Sequence, residues 1–185
     1  MQHMEFLKLS ILIAQLICGV CGKVVIIPDT KLEDCTNSTE AANIFDFSQI
    51  DLIPETDEHV YINGTWKFLK ELKKPWKAHL QLERYNRGEW LVQALDKDYD
   101  DFCEPLHRIT EPWYYAFEGK ESCPVPAGTE WFFDHVLIKF PEALLDAVPS
   151  HYMGRWRFVM IAIFDEDDGS SKKDCKRVYA DVYEV

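Results

Sequence analysis

WKAHLQLERYNRGEWLVQALD, Trp76 to Asp96, is the stretch whose reading decides the fold. From Trp76 to Tyr85 the apolar Trp76, Ala78, Leu80 and Leu82 alternate with Lys77, His79, Gln81 and Glu83, the two-residue period of a strand with one buried face. Asn86-Arg87-Gly88 supplies a turn and Trp90 to Asp96 a return strand, so the stretch predicts a β-hairpin. Working outward, strands are expected at Val60 to Leu69, Trp131 to Phe140, Trp156 to Phe164 and Val178 to Val185. An even spread of short strands and turns predicts an all-β, antiparallel β-sandwich of immunoglobulin-like type. Helical turns are expected around Asp96 to Pro105 and Glu142 to Val148.

Two of these strands are apolar on both sides. Phe158 to Phe164 has no polar residue, and Trp131 to Phe140 sends Trp131, Phe133 and Leu137 one way and Phe132, Val136, Ile138 and Phe140 the other. A sheet with one wet face does not need this. Either other segments cover both faces, or the sheets splay and large side chains line an internal apolar cavity. The 24 aromatic residues beyond position 22 exceed what a plain sandwich core requires and favour the cavity. The plainer alternative is a solid core with some aromatics on the surface.

Upstream, residues 1–22 read as a secretory signal peptide: Lys8 is the positive charge, Leu9 to Val20 the apolar run, and Gly19, Cys21 and Gly22 the small residues near the cut. That run is too short to span a bilayer comfortably, and no second one follows, so no transmembrane segment is expected. Cleavage after Gly22 leaves residues 23–185 as a single domain in an extracellular, secreted protein. Of the six cysteines, Cys18 and Cys21 leave with the leader. Their Cys-x-x-Cys spacing therefore carries no redox reading. Cleavage after Gly19 would instead keep Cys21 and leave an odd thiol.

Cys35, Cys103, Cys123 and Cys175 remain, an even set suited to two disulfides in an oxidising compartment. Three pairings are open. The favoured one joins Cys103 to Cys123 around a local aromatic loop and Cys35 to Cys175 across the domain, worth about 3 and about 5 kcal/mol in chain entropy. Asn37-Ser38-Thr39 and Asn63-Gly64-Thr65 are N-glycosylation acceptors, Asn37 in the more polar setting and Asn63 partly shielded by Trp66.

A net charge of −12 argues against nucleic acid and against adsorption to anionic membranes. The local exception is Lys67, Lys70, Lys73, Lys74 and Lys77, which reads either as a solvated connection or as a patch for an anionic group. Local signatures of hydrolases, zinc proteases and nucleotide enzymes are missing, and His59, His79, His107, His135 and His151 show no ligand spacing. Asp96 to Asp101 starts like a calcium loop, but Asp101 stands where glycine is needed and His107 where the bidentate glutamate is needed. No cofactor or metal is expected; missing motifs alone do not exclude an enzyme, and a hydrolase of unfamiliar motif stays a minor reading.

Asn63-Gly64-Thr65-Trp66, Pro75-Trp76 to Gly88-Glu89-Trp90, Asp101-Phe102-Cys103, Glu111-Pro112-Trp113-Tyr114, Cys123-Pro124, Tyr152-x-Gly154-x-Trp156 and the closing strand carry a resemblance. From about Val60 onward the chain resembles a family of small secreted insect proteins that includes the CheB chemosensory proteins. That family is related to the ML lipid-recognition domain of the ganglioside-activator and sterol-carrier type. Val24 to Glu58 matches only loosely, though Cys35 fits a paired N-terminal cysteine.

The resemblance implies a sandwich whose sheets part to admit a lipid or other apolar small molecule, without catalysis, in chemosensation or pheromone perception. It implies a cavity lined by Trp76, Leu80, Leu82, Trp90, Trp131, Phe133, Phe158, Met160 and Ala162, with a mouth at Trp113, Tyr114, Tyr115, Leu144 and Leu145. Which alternating face points inward is a one-residue question of register. The other reading is a secreted recognition module that binds a protein or receptor through an exposed aromatic patch over a solid core.

Overall fold

The computed structural model describes residues 24–35, 43–56, 59–109, 111, 113–138, 152–165 and 169–185. In chain order these form β1 (Val24–Pro28), β2 (Glu33–Asp34), β3 (Phe45–Pro54), β4 (Val60–Phe68), β5 (Lys77–Asn86), β6 (Glu89–Tyr99), α1 (Cys103–Leu106), α2 (Tyr114–Phe117), β7 (Glu130–Ile138), β8 (Gly154–Asp165) and β9 (Ser171–Glu184). One sheet has the order β1-β9-β8-β5-β6, with β2 also on β9, and the other has β3-β4-β7. All pairings are antiparallel. The chain is thus an all-β sandwich, built on the expected hairpin as β5 and β6.

Sequence alternation sets the inward faces. Ala78, Leu80 and Leu82 of β5 stand opposite Ala162, Met160 and Phe158 of β8, and Ala78, Leu80 and Ala162 are buried. On the facing sheet, Phe45, Phe47, Trp66, Phe68, Trp131 and Phe133 are buried in the same cluster. Their rings interlock: Phe68 meets Trp131 edge-on at 4.6 Å between centroids, and Phe45 meets Trp66 edge-on at 5.2 Å. Such offset contacts add to the area each ring removes from water.

Bulges modify the simple alternation. In β7 the register shifts between the pairs Ile62–Val136 and Gly64–Phe133, and His135 takes φ +52° there. Val136 therefore joins Phe133 on the core side, correcting the reading that placed them on opposite faces. In β3 the shift falls between Asp46 and Gln49, so the inward residues run Phe45, Phe47, then Ile50 and Leu52. Gly64 answers both bulges: at φ +112° a Cβ would lie 1.8 Å from the Gln49 carbonyl oxygen. Only glycine lets the strands close at that point.

There are two disulfides: Cys35–Cys175, with a separation of 140 residues, fastens the end of β2 to its neighbour β9, and Cys103–Cys123, with 20, ties α1 to the loop before β7. This is the favoured pairing. Beside the longer bridge, Asp174 is buried on the inner face of β9, and its Oδ2 accepts the Ile44 and Phe45 N–H groups at 2.8 Å each. Its Oδ1 lies 3.2 Å from Lys176 Nζ, which also pairs with Asp34. One carboxylate thereby fastens the start of β3 to the opposite sheet. The last strand begins at Ser171 rather than Val178, and β1 to β3 were not anticipated as strands. Residues 139–151, including the expected turn at Glu142 to Val148, lie outside the described residues, as do the leader and Asn37.

Candidate functional site

The expected cavity residues separate into three groups. Trp76, Leu80, Trp131, Phe133 and Ala162 are exposed by 1% or less. A side chain facing a space that admits water would expose surface to it, so these five belong to packed core and line no open cavity. This corrects their assignment. Ring contacts explain the packing: Trp76 lies against Phe45, Phe102 and Phe164, and Trp131 against Trp66, Phe68 and Phe117. The indole Nε1 atoms of Trp66 and Trp76 are buried there without a hydrogen-bond partner.

Leu82, Phe158 and Met160 form the second group. They share the inner face with Leu80 but are only half-buried. Leu95, opposite Leu82 across the hairpin, is half-buried too. From the facing sheet Ile62 and Val136 pack against the cluster while still partly exposed. The result is an apolar strip between the sheets that is fully enclosed around Trp76 and only half-buried around Leu82 and Phe158, the more open end.

Trp90 is on the other side of the sheet. It pairs with Tyr85 in register, and Tyr85 follows the outward phase of Glu83. Its ring lies 5.1 Å from Tyr85 and 5.4 Å from Tyr179, with the Arg157 guanidinium at 4.5 Å. Arg157 also pairs with Glu83, and Arg155 bridges Asp29 and Asp181 while lying over Tyr179. Hydrogen bonding to Asp29 raises the Arg155 pKa above the ordinary arginine value. The cavity assignment of Trp90 is therefore replaced by an outer cation–aromatic array.

The expected mouth is also relocated. Trp113 packs on Phe102 at 5.3 Å and donates from Nε1 to the Pro105 carbonyl oxygen at 3.2 Å. Tyr114 is half-buried and Tyr115 exposed beside it. Since Phe102 packs on Trp76, Trp113 rims the filled end, not the open one. Leu144 and Leu145 fall outside the described residues.

The polar features of the sequence are mostly consumed by the fold. Asp101 Oδ1 accepts the Trp76 and Cys103 N–H groups at 3.2 and 3.0 Å, so the end of the acidic segment anchors α1. Lys67 and Lys77 are held by Glu130 and Asp165 at 2.7 and 2.9 Å, and the Glu130 hydrogen bond raises the Lys67 pKa. His79 sits between Asp96 and Asp98, and His135 contacts Glu55 and stacks on Tyr61 at 3.9 Å. Asn63 is half-buried in central strand β4, its Oδ1 accepting the His135 N–H at 3.4 Å. Among the described residues, no group of three or more His, Cys, Asp or Glu is placed to hold a metal.

Arg84 was not singled out, although β5 carried the signal: its inward phase runs Ala78, Leu80, Leu82, Arg84. Arg84 stands opposite Trp156, and its Nη2 donates to the Met153 carbonyl oxygen at 2.7 Å. Its Nε is buried without a hydrogen-bond partner. Gly154, at φ +126°, leaves open the position beside the guanidinium; a Cβ there would lie 3.9 Å from Nε and Nη2.

No protein-family model and no curated protein matches the chain. Two disulfides are compatible with an extracellular protein, and no helix among the described residues is long and apolar enough to cross a membrane.

Proposed function

We propose that this chain is a secreted, non-enzymatic carrier or presenter of a lipid or other apolar small molecule, of the ML lipid-recognition kind and serving chemosensation. Its leader is removed after Gly22, and Asn37 and Asn63 are its glycan acceptors. The observation that carries the reading is the strip of Leu82, Leu95, Phe158, Met160, Ile62 and Val136, whose apolar side chains face between the sheets yet remain partly accessible. Apolar surface held half-open between two rigid sheets gains by taking an alkyl chain out of water, about 25 cal/mol for each Å² covered. The fully packed Trp76 end restricts the ligand to the Leu82 end.

Titration of delipidated protein with a fluorescent fatty acid tests this. Saturable binding at micromolar concentration, displaced by unlabelled lipid and weakened in Phe158→Ala, is expected. Failure to bind any lipid class at that concentration overturns it.

One observation favours a second reading, a recognition module. At the β5–β6 hairpin Tyr85, Leu91 and Val92 are 47%, 39% and 40% exposed, and Trp90 lies between Tyr85 and Tyr179. Aromatic residues of this kind anchor protein interfaces. Capture of a receptor protein that is lost in Trp90→Ala and kept in Phe158→Ala would select it.

A further inference from the structure

We propose that the ligand of the open end is a long-chain carboxylate, with Arg84 binding its head group; this rests on the apolar-ligand reading above. Leu82 and Arg84 are two residues apart on the inward phase of β5, about 7 Å along the strand, and their β8 partners are Phe158 and Trp156. An alkyl chain lying on Leu82 and Phe158 thus ends beside the guanidinium. Arg108, Arg155, Arg157 and Arg177 each pair with a carboxylate. Among the described residues Arg84 has none: its partner is the Met153 carbonyl oxygen, and its Nε is unsatisfied.

A buried guanidinium nitrogen without an acceptor is costly, and an anion restores what it lacks. The other inward cations are engaged. Lys176 is held by Asp34 and Asp174, and Lys97 lies over and hydrogen-bonds Tyr99. Among the described residues Arg84 is therefore the inward cation that keeps a buried donor, its Nε, unsatisfied. A carboxylate suits it because the planar fork of arginine donates to two oxygens side by side.

Delipidated full chain should be titrated with oleate and with oleyl alcohol, which share a chain and differ in head charge. Wild type is expected to prefer oleate by about tenfold, the scale of one charge-assisted hydrogen bond. Arg84→Gln should abolish that preference while leaving oleyl alcohol binding in place, and Arg84→Lys should recover part of it. Circular dichroism melting checks that both variants fold. Equal affinities in wild type, or a preference that survives Arg84→Gln, overturn the carboxylate assignment but leave the apolar-ligand reading standing. If neither ligand binds, both fail. If dodecyl phosphate binds more tightly than dodecanoate with the same dependence on Arg84, the head group is a phosphate and the carboxylate assignment is wrong.

Discussion

At the Trp76 end of the sandwich, Phe45, Phe68, Trp76, Trp131 and Phe133 are exposed by 1% or less; at the Leu82 end, Leu82, Leu95, Phe158 and Met160 are half-buried. The same two strands, β5 and β8, run through both. What differs is side-chain size against what faces it. The small cross-strand pair Ala78–Ala162 belongs to the cluster of large rings from the other sheet, so small meets large and the gap closes. Farther along, the pair Leu82–Phe158 is large but is only half-buried, as are Ile62 and Val136 of the facing sheet. One end of the sheet pair is therefore committed to stability, while the other keeps apolar surface in reserve.

Two phenylalanines put this contrast on one scale. Phe133→Ala empties a fully enclosed site and should cost about 3 to 5 kcal/mol. Phe158→Ala removes a ring already partly in water and should cost about 1 to 2 kcal/mol. Urea denaturation of the two variants reads both values. Equal losses would mean that Phe158 is as enclosed as Phe133, and the open end would not exist.

The filled end also depends on a polar fastening. Asp174→Ala leaves the Ile44 and Phe45 N–H groups without their acceptor and Lys176 with Asp34 as its remaining carboxylate. Orphaned buried donors cost about 1 to 3 kcal/mol each, with partial relief where water enters, so a loss of about 3 kcal/mol is expected. Asp174→Asn keeps an acceptor oxygen and should lose less. If hydrogen exchange at Ile44 and Phe45 is unchanged in Asp174→Ala, the fastening is not what seats β3 against β9.

The hairpin was legible because its apolar residues alternate, and the strands at Trp131 and Phe158 because each is a short, dense run of apolar, aromatic and β-branched residues. Legibility failed where the backbone departs from strict pairing. Phe45-Asp46-Phe47-Ser48-Gln49-Ile50 looks irregular because a bulge shifts the phase after Phe47, and Asp134-His135 does the same in β7. Trp90 was misplaced for a different reason: the tight turn pairs it with Tyr85 on the outward phase of β5, whereas the expectation grouped it with the inward Leu80 and Leu82. Of the expected site, Leu82, Phe158 and Met160 do come together. Arg84 and Asp174 were overlooked because a charged residue at an inward position reads as the end of a pattern, not as part of it.

Acid should loosen the filled end by a smaller amount. Asp165, beside Phe164 of the aromatic cluster, accepts the Ser171 hydroxyl at 2.7 Å and Lys77 Nζ at 2.9 Å. Both interactions, the hydroxyl first, hold its pKa below the ordinary 3.8. Asp46, between Phe45 and Phe47, is lowered likewise, chiefly by Ser48. A carboxylate with a depressed folded pKa contributes stability that is fully present above the unfolded value and disappears as pH falls through the folded one. Wild type should therefore exceed Asp165→Asn in urea midpoint at pH 7 by a small margin, since both partners are exposed and screened by solvent. That margin should shrink as pH drops below 3.8. A margin that stays constant down to pH values below the folded pKa would mean that the charge of Asp165 contributes nothing, and that the Ser171 hydrogen bond acts equally well on a neutral side chain.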